Sequence, residues 1–149
     1  MASKLLLLED MRSNAAYRKL ETWHVSMDFV EQIYKTTRNF PREELYGLTS
    51  QLRRAAVSIP SNVAEGYCRR KTKPYANHVG IALGSHAELE TCIEIASRLG
   101  FVADEIRSKL ETHLASIGRL LFALHESLEE KIRREEPQQG SPRSPALSS

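Results

Sequence analysis

At 149 residues the chain is the size of one ordinary domain, and its 41% hydrophobic and 27% charged residues suit a globular fold with a single core. The formal net charge of +2 excludes a polycation, yet residues 38–73 hold eight basic and three acidic side chains, a local surplus that favours an anionic partner. No apolar run approaches the roughly 20 residues of a membrane span, and Leu5–Leu8 is too short for a secretory core, so a cytoplasmic protein without membrane contact is expected. Cys68 and Cys92 are not in C-x-x-C spacing, which predicts neither a disulfide framework nor a structural metal site.

Residues 1–15 read as a flexible N-terminal arm. A first helix is predicted over 16–38, because Leu20, Trp23, Met27, Val30 and Tyr34 recur at intervals of three and four. Asn39-Phe40-Pro41 stops it, since a proline disfavours helical geometry at the residue before it and suits the start of the next helix. The second helix is expected over 42–68, with Leu45, Leu48, Leu52, Ala55 or Ala56, Ile59 and Val63 inward. A third is predicted over 73–99 on Val79, Ala82, Leu89, Ile93, Ala96 and Leu99, with Thr72 as N-cap and Gly100 as the stop. Its small residues Gly80, Gly84, Ser85 and Ala87 are expected to let a neighbouring helix approach closely. The fourth, over 103–134, has the most regular stripe: Ile106, Leu110, Leu114, Ile117, Leu121, Leu124, Leu128 and Ile132. Residues 135–149, rich in Pro, Gln, Gly and Ser, read as a disordered tail.

No segment alternates in the manner of a strand. The predicted fold class is therefore all-α, an antiparallel up-down four-helix bundle over 16–134. Pro60 falls inside the second helix, where it removes a donor to the carbonyl of Ala56 and crowds it. The stripe keeps phase across the proline, so a bent helix is expected, with Ser58, Ser61 and Asn62 supplying local hydrogen bonds. A restart at Asn62, with Glu65 as its capping partner, is the alternative.

The chemistry offered is sparse. Glu21-Thr22-Trp23-His24 is the one Glu-x-x-His spacing of a di-metal bundle, but on the predicted stripe Glu21 points largely to solvent and His24 lies at the boundary. His78, His86, His113 and His125 are scattered, and Gly80 and Gly84 lack the context of a phosphate loop. Cys68 beside Arg69 and Arg70 is the thiol placed for reactivity, yet it has no obvious base and reads as incidental. No catalytic residue, metal ligand, cofactor or small-molecule substrate is predicted. On the outer flank of the second helix, Tyr46, Ser50, Val57, Ser61 and Ala64 form an uncharged strip expected to be a subunit contact. Arg53 and Arg54 project to that side or beyond it, toward acids of a neighbouring chain or toward phosphate.

The run from Phe40-Pro41 through Glu43-Glu44-Leu45-Tyr46-Gly47-Leu48 and Gln51-Leu52-Arg53-Arg54-Ala55-Ala56-Val57-Ser58-Ile59-Pro60-Ser61-Asn62-Val63-Ala64-Glu65-Gly66 resembles a known family. It is the four-helix bundle family encoded in the intervening sequences of bacterial 23S ribosomal RNA genes. The resemblance extends through Arg69, Arg70, Ile81-Ala82, Gly84-Ser85 and Ala87-Glu88-Leu89-Glu90, takes in Leu20-Glu21 and Trp23, and covers about residues 20–128. It implies a ring-like homopentamer. It also implies a relative, the accessory variability protein of diversity-generating retroelements, that binds nucleic acid through a basic surface and works with a reverse transcriptase. The matching basic positions are Arg53, Arg54, Arg69, Arg70 and Lys73. Cys68 departs from a usual glycine, Pro74 from an acidic residue, and Asn77 and Gly80 from further basic ones, which lowers the expected number of phosphate contacts.

Two functions follow as expectations. The first is a non-enzymatic oligomeric bundle that binds RNA, DNA or a nucleoprotein, with Arg53, Arg54, Arg69, Arg70, Lys71 and Lys73 on the phosphates. The second is a structural homo-oligomer whose arginines make inter-subunit salt bridges.

Overall fold

A computed structural model describes residues 14–136; the predicted arm and tail lie largely outside the described residues. Four α-helices, with no strand among the described residues, make up the fold: α1 (Glu21–Thr37), α2 (Leu48–Cys68), α3 (Thr72–Arg98) and α4 (Asp104–Glu135). Short 3-10 turns at Asn14–Lys19 and Arg42–Glu44 precede α1 and α2. Each helix packs on the next, and α1 also packs on α4, closing the set around one core.

Two predicted boundaries shift. The first helix is split at Leu20, whose extended backbone separates the 3-10 turn from α1. The second starts at Leu48 rather than 42, because the chain turns at Gly47 and Glu44 reaches forward to accept a hydrogen bond from the Leu48 amide at 3.0 Å. That carboxylate satisfies one of the free donors of the helix start and complements its positive end. At α3 the residue in capping position is Lys71, in extended backbone, and Thr72 is already helical. Gly100 ends α3 as expected, at φ +77°. The Phe101 amide donates to the Ala96 carbonyl at 2.9 Å and the Gly100 amide to the Ser97 carbonyl at 3.0 Å, the paired bonds of a Schellman turn.

The core stripes of α2, α3 and α4 are largely those predicted. Leu52, Ile59, Val63, Val79, Ala82, Leu89, Ile93, Leu110, Leu114, Ile117 and Leu121 are all buried. Leu45, Leu99 and Ile106, expected inward, are exposed: Leu45 precedes α2, Leu99 follows α3, and Ile106 is in the first turn of α4.

The stripe of α1 is different. Its buried residues are Thr22, Ser26, Phe29, Ile33 and Thr37, whereas Met27 and Tyr34 are exposed. At about 100° per residue this face lies about 90° from the predicted one. The buried hydroxyls explain the difference: Ser26 donates to the Thr22 carbonyl at 2.6 Å and Thr37 to the Ile33 carbonyl at 2.8 Å. Self-satisfied hydroxyls bury without an orphaned polar group, so a hydropathy stripe overlooks them.

Pro60 is buried inside an unbroken α2. A restart at Asn62 does not occur; Asn62 Nδ2 donates instead to the Ser58 carbonyl at 2.8 Å and to Ser58 Oγ at 3.0 Å. Of the small residues of α3, Ser85 meets Ser58 of α2 at 2.8 Å, whereas no atom lies within 4 Å of where a Cβ on Gly84 would sit; the tightest approaches are at glycines of the neighbouring helices. On Gly66 of α2 a Cβ would stand 2.8 Å from Tyr75 and from His78 of α3, and on Gly118 of α4 it would stand 2.7 Å from His86. A hydrogen atom at each position is what lets those rings cross.

At one end of the fold Phe40 and Phe101, from the α1–α2 and α3–α4 connections, lie with ring centroids 5.6 Å apart. Next to the α3–α4 connection the two helices share a charged cluster in which Glu94 pairs with Arg98 and Arg107, and Arg107 with Glu111. The Arg98 hydrogen bond, then the Arg107 charge, hold the Glu94 carboxyl below its ordinary value. At the other end Lys73, in the first turn of α3, meets Glu136 at 3.5 Å.

Candidate nucleic-acid interface

The six predicted cationic residues separate into two groups. Fifteen residues of helix at about 1.5 Å each place about 22 Å between Arg54 and Arg69 along α2.

In the upper group Arg53 is committed to its own chain. Its Nε donates to Thr37 Oγ1 at 2.9 Å, and its guanidinium lies 4.6 Å from the ring centroid of Tyr34. Arg53 thereby anchors α2 to α1 through a planar fork that lysine would not reproduce. Arg54 is exposed, with no hydrogen bond or ion pair among the described residues.

In the lower group Arg69, Arg70, Lys71 and Lys73 follow one another through the α2–α3 turn, all exposed. Arg69 pairs with Glu65 at 3.2 Å and Lys73 with Glu136 at 3.5 Å. Solvent-exposed pairs of this kind contribute about 0–1 kcal/mol, so a phosphate competes readily for either cation. Arg70 carries the turn at φ +56°, the only non-glycine with positive φ among the described residues. Such backbone is strained for an L-residue, and glycine would adopt it freely.

Sequence reading missed two contributions to this end. Lys131 of α4 joins Arg70 and Lys71 around a groove of about 510 Å³, some sixty positions away in the chain. Tyr67 and Tyr75 stand in the same groove. Burial, and secondarily the neighbouring Tyr67, push the Tyr75 hydroxyl above its ordinary value of 10.0, so it stays a neutral donor at physiological pH. Asn77 and Gly80 line a second groove with Lys73, His125 and Glu129.

Of the predicted subunit strip, Ser50, Val57, Ser61 and Ala64 lie along one face of α2, and Tyr46 does not. Tyr46, 93% exposed, lies in the turn before α2, so helical phase does not join it to the others. Val57 and Ser61 are exposed on α2, with Ser50 and Ala64 half-buried. The inner flank of α2 instead carries a polar seam to α3: Ser85 Oγ donates to Ser58 Oγ at 2.8 Å, and His78 Nδ1 lies 2.9 Å from Asn62 Oδ1.

The remaining ionisable groups serve packing. His113 Nε2 donates to the Val25 carbonyl at 3.0 Å while Nδ1 faces Gln32 at 2.8 Å, tying α4 to α1. His86 Nε2 donates to the Leu114 carbonyl at 2.7 Å. Glu21 and His24 are both exposed, and no three potential metal ligands gather among the described residues. Cys92 is buried and its thiol raised by burial, then by Glu88; Cys68 is exposed, and both are free of disulfide. Among the described residues no helix is long and apolar enough to cross a membrane.

The family model of the 23S rRNA-intervening sequence protein matches residues 18–123. The chain belongs to this family. The match spans α1 through most of α4, and so includes Arg53, Arg54 and the whole α2–α3 turn; Lys131 lies beyond it. No curated protein matches the chain significantly.

Proposed function

We propose that this member of the 23S rRNA-intervening sequence protein family is a non-enzymatic helical bundle that binds nucleic acid at the α2–α3 end. The observation that carries this reading is the gathering of Arg69, Arg70, Lys71 and Lys73 in one turn with Lys131 brought up from α4. A non-glycine held at positive φ in that turn is strain kept in place at a site that uses the side chain. Contacts from such cations position a phosphate chain without reading its bases. Arg54 provides a second, separate contact, while Arg53 keeps to its structural role.

Binding of a short RNA to the purified chain should be strong at low salt and fall linearly on a log-log plot. Each phosphate contact contributes about −0.7 to the slope for a single strand. Absence of RNA and DNA binding at low salt would remove the reading.

The second reading, a structural homo-oligomer, draws on Met27, Tyr34 and Val57, all about two-fifths exposed on α1 and α2. In it the chain is an antiparallel up-down bundle, supported by the Phe40–Phe101 contact at one end and the Lys73–Glu136 pair at the other. Its bend at Pro60 shapes the outer flank for neighbours in a ring-like homopentamer. A reverse transcriptase-like nucleoprotein is the partner suggested by the likeness to the accessory variability protein. Mass in solution tests assembly: with Arg53 held by α1, Arg54→Ala should dissociate the ring if the exposed arginine bridges subunits, and an unchanged mass counts against it.

A further inference from the structure

The groove at the α2–α3 end contains more than a phosphate backbone requires. Tyr67 of α2 and Tyr75 of α3 pair edge to face, with centroids 6.0 Å apart and planes at 89°. Leu128 of α4, almost fully buried, contributes an apolar wall, and Arg70, Lys71 and Lys131 add the charge. Its volume of about 510 Å³ is that of a small-ligand site.

Both tyrosines are only half-buried, and perpendicular rings leave faces that the pair itself does not cover. A planar aromatic group can therefore stack there while an attached anion meets the cations. Bases inside a duplex are stacked on one another and cannot enter such a groove. An unpaired base can, and stacking on tyrosine is tolerant of sequence because every base presents a π-face.

We propose that this groove takes one unpaired nucleotide of a single strand, its base against Tyr67 and Tyr75 and its phosphate among Arg70, Lys71 and Lys131. The proposal rests on the nucleic-acid reading and narrows it to strands with unpaired ends or loops.

The test uses the full chain and two RNAs that share one hairpin stem, one blunt and one with a short single-stranded overhang carrying 2-aminopurine. The overhang should bind on the order of ten-fold tighter, with quenching of the 2-aminopurine fluorescence on stacking. Equal affinity for the two RNAs without quenching overturns the groove while leaving backbone binding intact. No binding of either RNA at low salt overturns both. Tyr67→Leu keeps apolar bulk and should erase the overhang preference while the blunt hairpin still binds; a retained preference overturns the proposal. Should that variant fold poorly, Lys131→Gln on the exposed face of α4 should weaken both RNAs but the overhang several-fold more than the blunt hairpin, and an equal loss on both RNAs counts against the groove. Adenosine 5′-monophosphate should displace the overhang more effectively than inorganic phosphate. Equal displacement by the two would mean that only the anion is recognised.

Discussion

Arg70 shows how a single residue can be placed against its own backbone preference. A left-handed conformation disfavours an L-residue by roughly 1–2 kcal/mol, and glycine is released from that strain while adding freedom to the unfolded chain. Arg70→Gly should therefore leave stability unchanged or raise it by up to about 1 kcal/mol in urea unfolding, while RNA affinity falls. A large loss of stability would mean that the side chain holds the turn instead. Gly66 shows the reverse case, since a Cβ there would stand 2.8 Å from Tyr75 and from His78. Gly66→Ala should destabilise by about 1–3 kcal/mol through overpacking, and would disturb the tyrosine groove at the same time. Glu94 supplies a pH dependence. Its folded value is depressed below 4.5, so the unfolded chain binds the proton more readily. The stabilisation is complete above that ordinary value and disappears as pH falls through the depressed one. Glu94→Gln should flatten the acid limb of a stability profile below about pH 4.5 and leave neutral pH little changed in slope.

At the scale of helices, α1 is the instructive case. Its sequence presents two candidate stripes, Trp23-Met27-Val30-Tyr34 and Thr22-Ser26-Phe29-Ile33-Thr37, and hydropathy favours the first. Packing selects the second because the hydroxyls bond to their own helix, while cations cover the rings on the other face. Arg18 lies 5.9 Å from the Trp23 centroid and Arg53 lies 4.6 Å from that of Tyr34. Ile33→Ala should then lower stability by about 2–5 kcal/mol, whereas Met27→Ala should stay within about 0.5 kcal/mol. The opposite ranking would restore the hydropathy stripe. In α2, Pro60 interrupts hydrogen bonding without ending the helix, since apolar contacts on both sides and the Asn62–Ser58 bonds keep the next turn in place. On the homo-oligomer reading, Pro60→Ala should change oligomer size more than helix content, as read by mass in solution and circular dichroism. An unchanged oligomer would remove a role for the proline in assembly.

For the whole molecule, what the chain spells out locally and what folding brings together can be separated. Helix number, the stripes of α2, α3 and α4, the Gly100 stop and the basic Arg69–Lys73 run are properties of short stretches, and periodicity or composition suffices to reveal them. Four apolar stripes on one chain of this length have to bury one another, so an all-helical packed fold followed from the sequence alone. Only the tertiary structure decided which face of α1 is inward, because two stripes of similar strength compete and satisfied hydroxyls carry no apolar signal. It alone divided the six basic residues, turning Arg53 into a clasp between α1 and α2 and leaving Arg69, Arg70, Lys71 and Lys73 together at the far end. It alone added Lys131 to that end, since the contact between α4 and the α2–α3 turn joins positions about sixty residues apart, and it alone paired Tyr67 and Tyr75, which flank the basic run in the sequence, across the groove. Local spacing records the forces within a helix; a site built across three helices exists only when the core that orients them has formed.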